Sequence, residues 1–412
     1  MSERNSVKKI GVVGWNGRGG HVSQTALHVT GGLMEPVACM EPYDDKYEKG
    51  CQSLGLTPRR YKSVKKMVDS EKLDGIIIGS PNAFHLENLR DLAGTGLPLL
   101  LEKPLDSTFE KICDVVRFAR AYNGPIMVGH CMRYAPVLQE AKKMLDRGDV
   151  GKICSVRFVQ NCHYGNGGYH NWRRRKETSG TWLIEKATHD FDIMLWLLED
   201  RPVRVVSISR LQGFGGDKPS DLRCRNCPER VTCPHSIQNI HYRWGHHEVE
   251  ELKNADDLCA LSSEVDTPDN DHCLIDFQSG VFGTYVQWFF SPRSYHHRVY
   301  EIHGTQGAME SDLGDEFGGK IFMCPRYGTV QDKMEYKFDY LERNHYNGDG
   351  PMTKHFYHVM KGEAAPATTV EQAFLCELLG YAAMLSGEEG RFVSLEELIP
   401  EDFRDLCAKK LY

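Results

Sequence analysis

A short stretch in the middle of the chain, EKATHDFDIMLW, places an acid and a histidine four residues apart at the start of an apolar run. On a helix this stretch carries one largely polar stripe, formed by Glu185, His189, Asp192 and Trp196. A histidine has an unperturbed pKa of about 6.5, so it exchanges a proton near neutrality and suits general acid–base chemistry. The alternative is a helix N-terminal turn whose histidine has satisfied hydrogen bonds.

A second group able to move a proton follows the apolar run in LPLLLEKPL. Glu102, Lys103 and Pro104 stand just beyond the carboxyl end of this predicted strand. Open α/β sheets bind ligands in the crevice outside the carboxyl ends of their strands. A lysine in such a partly dry cleft could hold a hydroxyl group and help to move its proton. The alternative is an ordinary exposed lysine after a strand.

A glycine-rich turn, GWNGRGG, joins the first predicted strand to a helix that we expect to open near residue 21. Dinucleotide-binding turns follow G-x-G-x-x-G; here Gly14 and Gly19 fill the first and third places, and Asn16 takes the second with Gly17 beside it. Glu41 ends the second predicted strand, where an acid would bind a ribose 2′-hydroxyl and repel a 2′-phosphate. The pattern favours NAD over NADP. The alternative for the acid alone is a solvated glutamate.

Three cysteines within ten residues mark the segment RCRNCPERVTCPHS. Cys224, Cys227 and Cys233 follow a C-x2-C-x5-C spacing, and C-x2-C is the common half-site of tetrahedral zinc. We expect Cys259 to supply the fourth thiolate, with His235 as the competing ligand. The segment predicts a structural zinc site; free thiols and an iron–sulfur cluster are the alternatives.

The elements that position these groups fall into two series. Over residues 1–130, short apolar runs alternate with helical patterns, which predicts a doubly wound α/β domain with a buried parallel sheet. Residues 131–412 contain longer strand-like runs, and those that flank QSG and GTQG resemble antiparallel hairpins. We predict a second domain on a mostly antiparallel sheet, with a cysteine-rich insertion at about 221–260 and C-terminal helices that pack back on the first domain.

The composition excludes several classes of protein. Of 412 residues, 41% are hydrophobic and 26% are charged, which is typical of a globular chain and not of a disordered one. The sequence contains no run of 18 apolar residues, the length that spans a membrane. The net charge of -7 argues against nucleic acid as the main partner. The N-terminal stretch lacks the apolar core of a signal peptide, so we expect a cytoplasmic protein with reduced thiols.

Several of these motifs, in this order, resemble the Gfo/Idh/MocA family, the glucose–fructose oxidoreductase and inositol dehydrogenase group. The resemblance extends over most of the chain through GVVGWNGRGG, SPNAFH, EKP, VGHCMRYAP, RGDVGKICSVRF, HDFDIMLWL and IHGTQGAMESD. It implies a Rossmann domain followed by an α/β domain with a large open sheet that commonly serves for oligomer packing. It also implies NAD(P)-dependent oxidation or reduction of a hydroxyl on a sugar, inositol or related polyol.

The resemblance further implies roles for individual residues. Lys103 would be the catalytic lysine of EKP, and His189 would be the catalytic histidine of the family's Asp-x3-His motif. Cofactor contacts are implied for Gly14, Trp15, Asn16, Gly17, Arg18, Gly19, Glu41, Ser80, Pro81, Asn82, His85, Glu102, Lys103 and His130. Substrate contacts are implied for Glu185, Lys186, Trp172, Arg173, Arg133 and His163.

This sequence departs from the family pattern beside the histidine. Glu185 replaces the usual aspartate, and Lys186 adds a cation next to it. Upstream, Trp172 and Arg173 are the best further substrate contacts, because aromatic faces stack on sugar rings and arginine binds carboxylate or hydroxyl groups. Alternatively, the three consecutive arginines of this segment coat the surface.

Three functions fit these residues. The first is an NAD-dependent oxidoreductase that acts on a small carbohydrate or polyol, as a homodimer or homotetramer. The second is an NAD-retaining glycosidase, which transiently oxidises a ring hydroxyl and needs a further base such as His163, Tyr164 or Tyr169. The third is a non-enzymatic NAD or sugar sensor, which the intact lysine and histidine positions argue against.

Overall fold

The first sheet of the protein, seen in a computed structural model that describes residues 6–162, 165–243, 256–292, 295, 298–314, 318–341, 344–407 and 411–412, is parallel throughout. Its six strands stand in the order β3-β2-β1-β4-β5-β6. Their bounds are β1 Lys8–Val13, β2 Met34–Met40, β3 Arg59–Tyr61, β4 Gly75–Ile78, β5 Leu99–Leu101 and β6 Ile126–Val128. The order reverses between β1 and β4, which confirms the predicted doubly wound Rossmann fold.

The helices of the first half fill the crossovers between these strands, as right-handed β–α–β units require. They are α1 Arg18–Val29, α2 Asp44–Leu54, α3 Val64–Ser70, α4 His85–Asp91 and α5 Phe109–Ala121. Strand β4 and the last four residues of β1 are buried, which explains their apolar sequences. The apolar strands therefore stabilise the sheet, and the loops at their carboxyl ends can hold residues that bind a ligand.

The second sheet has nine strands in the order β14-β13-β12-β11-β7-β10-β9-β8-β15. They are β7 Ile153–Asn161, β8 Pro202–Arg210, β9 Asn270–Phe277, β10 Phe282–Trp288, β11 Arg298–Gly304, β12 Gly307–Asp312, β13 Gly318–Pro325, β14 Met334–Asp339 and β15 Val393–Ser394. Every pairing is antiparallel except that of β7 with β10. The expected mostly antiparallel sheet is confirmed, and so are both hairpins, β9–β10 and β11–β12.

Among the described residues, the second half of the chain adds a further set of helices. They are α6 Pro136–Asp146, α7 Gly165–Tyr169, α8 Lys176–Ser179, α9 Trp182–Glu185, α10 Ala187–Leu198, α11 Ile237–Arg243, α12 Asp349–Met360 and α13 Val370–Glu389. Helix α12 packs on α1 of the first sheet, where Met352 and Phe356 join the core of the nucleotide-binding half. The C-terminal part of the chain thus contacts the glycine turn as well as the second sheet.

One expected helix is interrupted. Glu185 ends the short helix α9, and Lys186, with ψ at -45° but φ at -118°, separates it from α10. The prediction of one stripe from Glu185 to Trp196 on a single helix is therefore wrong at its first residue. Helix α10 is also buried on both its polar and its apolar faces, so His189 lies in the interior.

Candidate active site

The glycine turn lies where β1, β4 and the start of α1 meet. Gly14 has a φ of +85°, and a Cβ placed on it would lie 2.7 Å from the backbone nitrogen of Ser80. A Cβ on Gly19 would lie 2.7 Å from the Gly14 carbonyl oxygen. Glycine is required at both positions, and the helix amino end that follows faces a site suited to a pyrophosphate.

Replacing Gly19 by alanine is expected to weaken dinucleotide binding by roughly tenfold to hundredfold, because overpacking a tight contact costs about 1–3 kcal/mol. Gln52→Ala is the control outside the turn. Gln52 is exposed on α2, so this variant should bind NAD like the wild type. Calorimetric titration with NAD measures both variants, and equal affinities would contradict this account of the turn.

Two residues of the expected cofactor site, Trp15 and Glu41, are both buried but make different contacts. Trp15 is fully buried: its indole packs against Gly50, and its backbone carbonyl lies against Gly20. The structure thus makes Trp15 a core residue that holds α1 and α2 together. Glu41 lies at the end of β2, and one of its carboxylate oxygens accepts the N–H of Asn16 at 3.4 Å. This carboxylate therefore stands beside the glycine turn, as the sequence predicts for a ribose contact.

Arg18 ties the glycine turn to two other parts of the chain. Its Nε donates to Glu102 at 2.9 Å, and its two terminal nitrogens donate to Asp349 of α12 at 2.8 and 2.6 Å. Asp349 also accepts from His345 Nδ1 at 3.0 Å. Both carboxylates are almost completely buried. The guanidinium that we expected to contact the cofactor is thus fixed in an ion-pair network, next to that site.

Glu185 collects three positive or polar partners. Asn82 Nδ2 and Arg173 Nε each donate to its carboxylate at 2.9 Å, and Lys103 Nζ lies 3.9 Å from it. Lys103 Nζ also donates to the Glu185 carbonyl oxygen at 2.7 Å. Burial alone would raise the pKa of Glu185, but Lys103 and Arg173 lower it to about 2. An ionised Glu185 therefore positions Lys103 at the end of β5.

His85 and Ser80 support this arrangement from behind. The two ring nitrogens of His85 lie 2.9 Å from the carbonyl oxygens of Ser80 and Pro104, so the ring bridges the SPN and EKP segments. The Ser80 hydroxyl accepts from Asn88 Nδ2 at 2.9 Å. Burial lowers the pKa of His85. The structure gives His85 a role in holding two site loops in register.

His189 stands at the centre of a group of histidine rings. Its ring centroid is 6.2 Å from that of His130 and 5.5 Å from that of His345. Among the described residues, neither of its ring nitrogens has a hydrogen-bond partner, although the side chain is almost completely buried. Burial, followed by the charge of Lys103, holds its pKa well below the usual value. His189 is thus a neutral imidazole whose nitrogens are available to a ligand.

Lys186 lies between the two helices that carry Glu185 and His189. Burial, followed by the charges of Arg298 and Lys103, lowers its pKa to about 7. A lysine in an unfolded chain has a pKa of about 10.4. Above a pH of about 7, the unfolded chain therefore binds one more proton at this side chain than the folded chain does.

This difference predicts how the stability of Lys186→Met compares with that of the wild type. The wild-type free energy of unfolding should gain about 1.4 kcal/mol per pH unit above a pH of about 7 from this group, and the variant lacks that gain. The advantage of the variant should therefore shrink as the pH rises to about 8.5. Urea unfolding at several pH values measures it, with the exposed Lys62→Met as the control. A constant difference across the range would disprove the lowered pKa.

The remaining expected substrate contacts are Arg133, Trp172, Arg173 and His163. Arg133 is buried and binds both carboxylate oxygens of Asp192, at 2.8 and 2.5 Å, while His130 Nδ1 lies 3.6 Å from the same carboxylate. This ion pair joins the segment after β6 to α10. Trp172 stacks with the Arg173 guanidinium, whose carbon is 4.4 Å from the ring centroid. His163 lies outside the described residues.

The candidate bases of the glycosidase alternative gain no support. Tyr169 is fully buried, donates to the Pro268 carbonyl oxygen at 2.9 Å and accepts from Trp182 Nε1 at 2.7 Å. Burial holds its pKa well above the usual value, so it is a core residue and a poor base. Tyr164 lies outside the described residues.

A buried polar network behind His189 escaped the sequence analysis. Asp190 pairs with Arg298 Nε at 3.0 Å and accepts from the hydroxyls of Tyr300 and Tyr285 at 2.5 and 3.0 Å. Its four members are almost completely solvent-inaccessible. The acid in HDFD next to the histidine was visible, but its partners lie on β10 and β11, about a hundred residues away.

The four cysteines of the predicted zinc site line one small cavity of about 20 Å³. Burial raises the pKa of the Cys224 and Cys259 thiols, and the neighbouring cysteines raise it further. The sequence prediction that Cys259 lies with the other three agrees with this placement. The competing residue, His235, lines the same cavity.

Two sequence profiles match the chain and together cover well over half of it. Residues 8–130 match an oxidoreductase family with an NAD-binding Rossmann fold, and residues 138–310 match the GFO/IDH/MocA C-terminal domain. The chain belongs to the Gfo/Idh/MocA family. This result confirms the family that the motifs indicated, and an NAD-binding Rossmann domain agrees with the glycine turn.

Individual members of the Gfo/Idh/MocA family are related to the chain at low identity. The putative oxidoreductase YteT of Bacillus subtilis is 24% identical over 309 residues, covering 69% of this chain and 72% of YteT. Inositol 2-dehydrogenase of Corynebacterium glutamicum is 24% identical, covering 48% of this chain and 56% of that enzyme. A levoglucosan dehydrogenase in complex with NADH and levoglucosan has a TM-score of 0.75 at 16% identity, covering 95% and 100% of the two chains. The last likeness shows the shared fold.

Among the described residues, no helix is long and apolar enough to cross a membrane.

Proposed function

We propose that the protein is an NAD-dependent oxidoreductase that transfers a hydride between the nicotinamide and a ring carbon of a sugar, glycoside or inositol. The observation that carries this proposal is that Lys103, Glu185 and His189 lie together beyond the strand ends, largely shielded from solvent and next to the glycine turn. The relatives named for inositol and levoglucosan support the substrate class.

The residues that would hold NAD fit the cofactor. Gly14 and Gly19 leave backbone free of side chains where the pyrophosphate would approach, and Glu41 would receive the adenosine ribose hydroxyls. Bound NAD supplies an acceptor for the hydride that a hydroxyl-bearing carbon gives up. The protein's own part is to place that carbon and to manage the hydroxyl proton.

Lys103 and His189 divide that task. The Lys103 ammonium, held by Glu185, would donate to the substrate hydroxyl oxygen and stabilise the charge that develops there. Neither ring nitrogen of His189 has a hydrogen-bond partner among the described residues, so the unprotonated nitrogen of the neutral ring would accept the hydroxyl proton. The charge of Lys103 also contributes to the low pKa of His189, so the two groups are electrostatically coupled.

Selectivity for the rest of the substrate would come from the Trp172–Arg173 arm and Lys186. The Arg173 guanidinium is partly exposed while its Nε binds Glu185, so its terminal nitrogens can reach a substrate hydroxyl or carboxylate. Trp172, stacked against it, offers an apolar face to a sugar ring.

The direct test is a panel of sugars, glycosides, inositols and sugar acids, followed by NADH absorbance with the purified protein. We expect net NAD reduction by one carbohydrate class. Aglycone release without net NADH would favour the glycosidase, and no turnover on any member of the panel would favour the sensor.

Cofactor choice gives a separate prediction at Glu41. The wild type should bind NAD at least tenfold more tightly than NADP, because an ionised carboxylate repels a 2′-phosphate. Glu41→Ser should narrow that ratio, and the exposed Glu35→Ser on the same strand should not. Titration of each variant with both cofactors measures the ratio; a wild type that prefers NADP would overturn the assignment.

We further propose that the outer face of the second sheet packs against a second copy of the chain. Ile208, Leu274 and Phe282 are exposed on the neighbouring strands β8, β9 and β10, at 60%, 43% and 56%. Apolar side chains grouped on one face mark an interaction surface. Light scattering should give a dimer or tetramer, and Leu274→Glu should shift it toward the monomer.

A further inference from the structure

The cysteine-rich insertion between β8 and β9 is folded so that distant cysteines meet. The Cys224 N–H donates to the Asp257 carbonyl oxygen at 2.7 Å, and the Cys259 N–H donates to Leu222 at 2.8 Å. These bonds join two strands of the insertion side by side. Cys227 follows in a tight turn, its N–H donating to the Cys224 carbonyl at 3.1 Å. The backbone thus brings two C-x2-C thiols opposite Cys259.

The cavity that these thiols surround has the character of a ligand site. Its volume is about 20 Å³, and it is lined by Cys224, Cys227, Cys233, Cys259, His170 and Arg230, among others. Three of these cysteines are partly exposed in a polar segment, so they are not ordinary core residues such as Cys39 or Cys113. Four thiols around one small space are the ligand set of a structural zinc ion.

His170 adds an independent sign of a ligand. It is almost completely buried, and its Nδ1 lies 2.5 Å from the Leu258 carbonyl oxygen and 3.9 Å from Cys224 Sγ. Donation from Nδ1 to that carbonyl leaves Nε2 as an acceptor, and Nε2 has no hydrogen-bond partner among the described residues. Histidines at metal sites are oriented in this way by a backbone carbonyl.

We propose that Cys224, Cys227, Cys233 and Cys259 bind one zinc ion that fastens the insertion to the substrate arm. Four protonated thiols give up their protons to the solvent as Zn²⁺ binds, and the resulting complex carries two negative charges. Arg230, which lines the cavity, offsets part of that charge. No electron transfer is involved, because zinc has one stable oxidation state in proteins.

Zinc binding would also draw the thiols together. Two sulfurs on a tetrahedral zinc are about 3.8 Å apart, given a Zn–S distance of about 2.3 Å. In the part of the chain that the structure describes, sets of donor atoms within 4.8 Å of one another occur elsewhere, at His130–Asp192–Cys376 and Cys131–His345–Asp349. Both of those carboxylates are already bound by arginines. The cysteine cluster is wider, so its loop contracts on the ion.

The contacts of the insertion explain why its rigidity matters to the active site. The Leu258 N–H donates to the His170 carbonyl at 3.1 Å, and Arg174 donates to the carbonyl oxygens of Cys259 and Ser220 at 3.3 and 2.8 Å. Arg173, the residue before Arg174, donates from its Nε to the Glu185 carboxylate. The metal-bound insertion therefore buttresses the arm that we assign to substrate binding, and this second part of the proposal rests on the proposed function.

Elemental analysis of the full-length protein, purified without chelators, tests the metal. We expect one zinc per chain, lost in Cys227→Ser and in Cys259→Ser but retained in Cys324→Ser, whose thiol is exposed on β13. Bound iron, four freely titratable thiols in the native protein, or full zinc content in Cys227→Ser would overturn the proposal. Loss of zinc in His170→Gln with retention in Cys259→Ser would overturn the ligand set.

Two further readouts separate the metal's role from misfolding and from the catalytic proposal. NAD affinity should be unchanged in Cys227→Ser, whereas amide exchange should rise at least tenfold over residues 170–175 and 222–227. For the substrate found in the panel, KM should rise severalfold while kcat changes little. Unchanged exchange over residues 170–175 would refute the buttressing role. Zinc in a protein that turns over no substrate would leave the metal site standing and the proposed function refuted.

Discussion

His189→Asn should lower kcat by about 10²- to 10⁴-fold, the usual contribution of a positioned acid–base group. Asparagine is smaller than histidine and keeps a polar group at the site, but it cannot accept a proton at neutral pH. The ring of His189 is buried between His130 and His345, and among the described residues its nitrogens bind nothing else. The hydroxyl proton therefore has no equally placed acceptor in the variant. Initial rates with NAD and the substrate from the panel measure the loss.

The controls for this variant separate chemistry from structure. NAD affinity and melting temperature should stay near the wild-type values, because the ring makes no hydrogen bond to the described residues. His28→Asn, on the exposed end of α1, should leave kcat unchanged. A loss of less than threefold in His189→Asn, with the substrate saturating, would remove His189 from the mechanism and leave the family assignment intact.

Lys103→Met, made alone and combined with His189→Asn, tests whether Lys103 and His189 act together. If Lys103 polarises the hydroxyl and His189 takes its proton, each substitution alone should abolish most of the advantage of the pair. The double variant should then be only slightly slower than either single variant, as for residues that act as a unit. Fully multiplicative losses would instead assign them to separate steps.

The local features of this site could be predicted from the sequence. A turn that needs glycine at Gly14 and Gly19, and a lysine directly after an apolar strand, depend on neighbours along the chain and on general rules of α/β sheets. The cysteine spacing is local as well, and the expected fourth cysteine, Cys259, lines the same cavity as the other three. The sequence was sufficient where a short stretch of chain determines the geometry.

Long-range partners could not be predicted in this way. Arg18 and Asp349 are 331 positions apart, and only the packing of α12 on α1 brings them together. The sequence therefore suggested a cofactor contact for Arg18, whereas the structure uses it to neutralise buried carboxylates. Trp15 is a similar case, because Gly50, 35 positions along the chain, leaves the space that its indole fills.

The break at Lys186 shows a further limit. Hydrophobic periodicity continues from α9 into α10, so a single helix was the natural expectation. The structure interrupts it, which places Glu185 on a separate short helix where Arg173 and Asn82 can reach its carboxylate. Lys103 and Arg173 lower the pKa of this acid, whereas burial, followed by the charges of Arg298 and Lys103, lowers the pKa of Lys186 to about 7.

Arg18→Met should lower the free energy of unfolding by about 3 kcal/mol at neutral pH, since removing one partner of a buried ion pair leaves the other charge uncompensated. Two carboxylates, Glu102 and Asp349, lose their shared cation. Burial would raise the pKa of Asp349, but His345 and Arg18 together hold it well below the usual value. Burial raises the pKa of Glu102 even with Arg18 present. Arg404→Met, an exposed i,i+3 pair with Glu401, should cost less than about 1 kcal/mol.

The pH dependence of this loss identifies its cause. Removing Arg18 removes a charge that lowers the pKa of both carboxyls, so the folded variant binds more protons than the folded wild type as the pH falls. The wild type does not gain protons in this way at Asp349. The lowered pKa of Asp349 contributes stability above the pKa that this carboxyl has in the unfolded chain, and that stability is lost only in stronger acid. Urea unfolding should therefore show a smaller difference in the free energy of unfolding between the two proteins near about pH 5 than near about pH 7. A gap of equal size at both pH values would mean that Arg18 stabilises the fold by packing, with its charge playing no part.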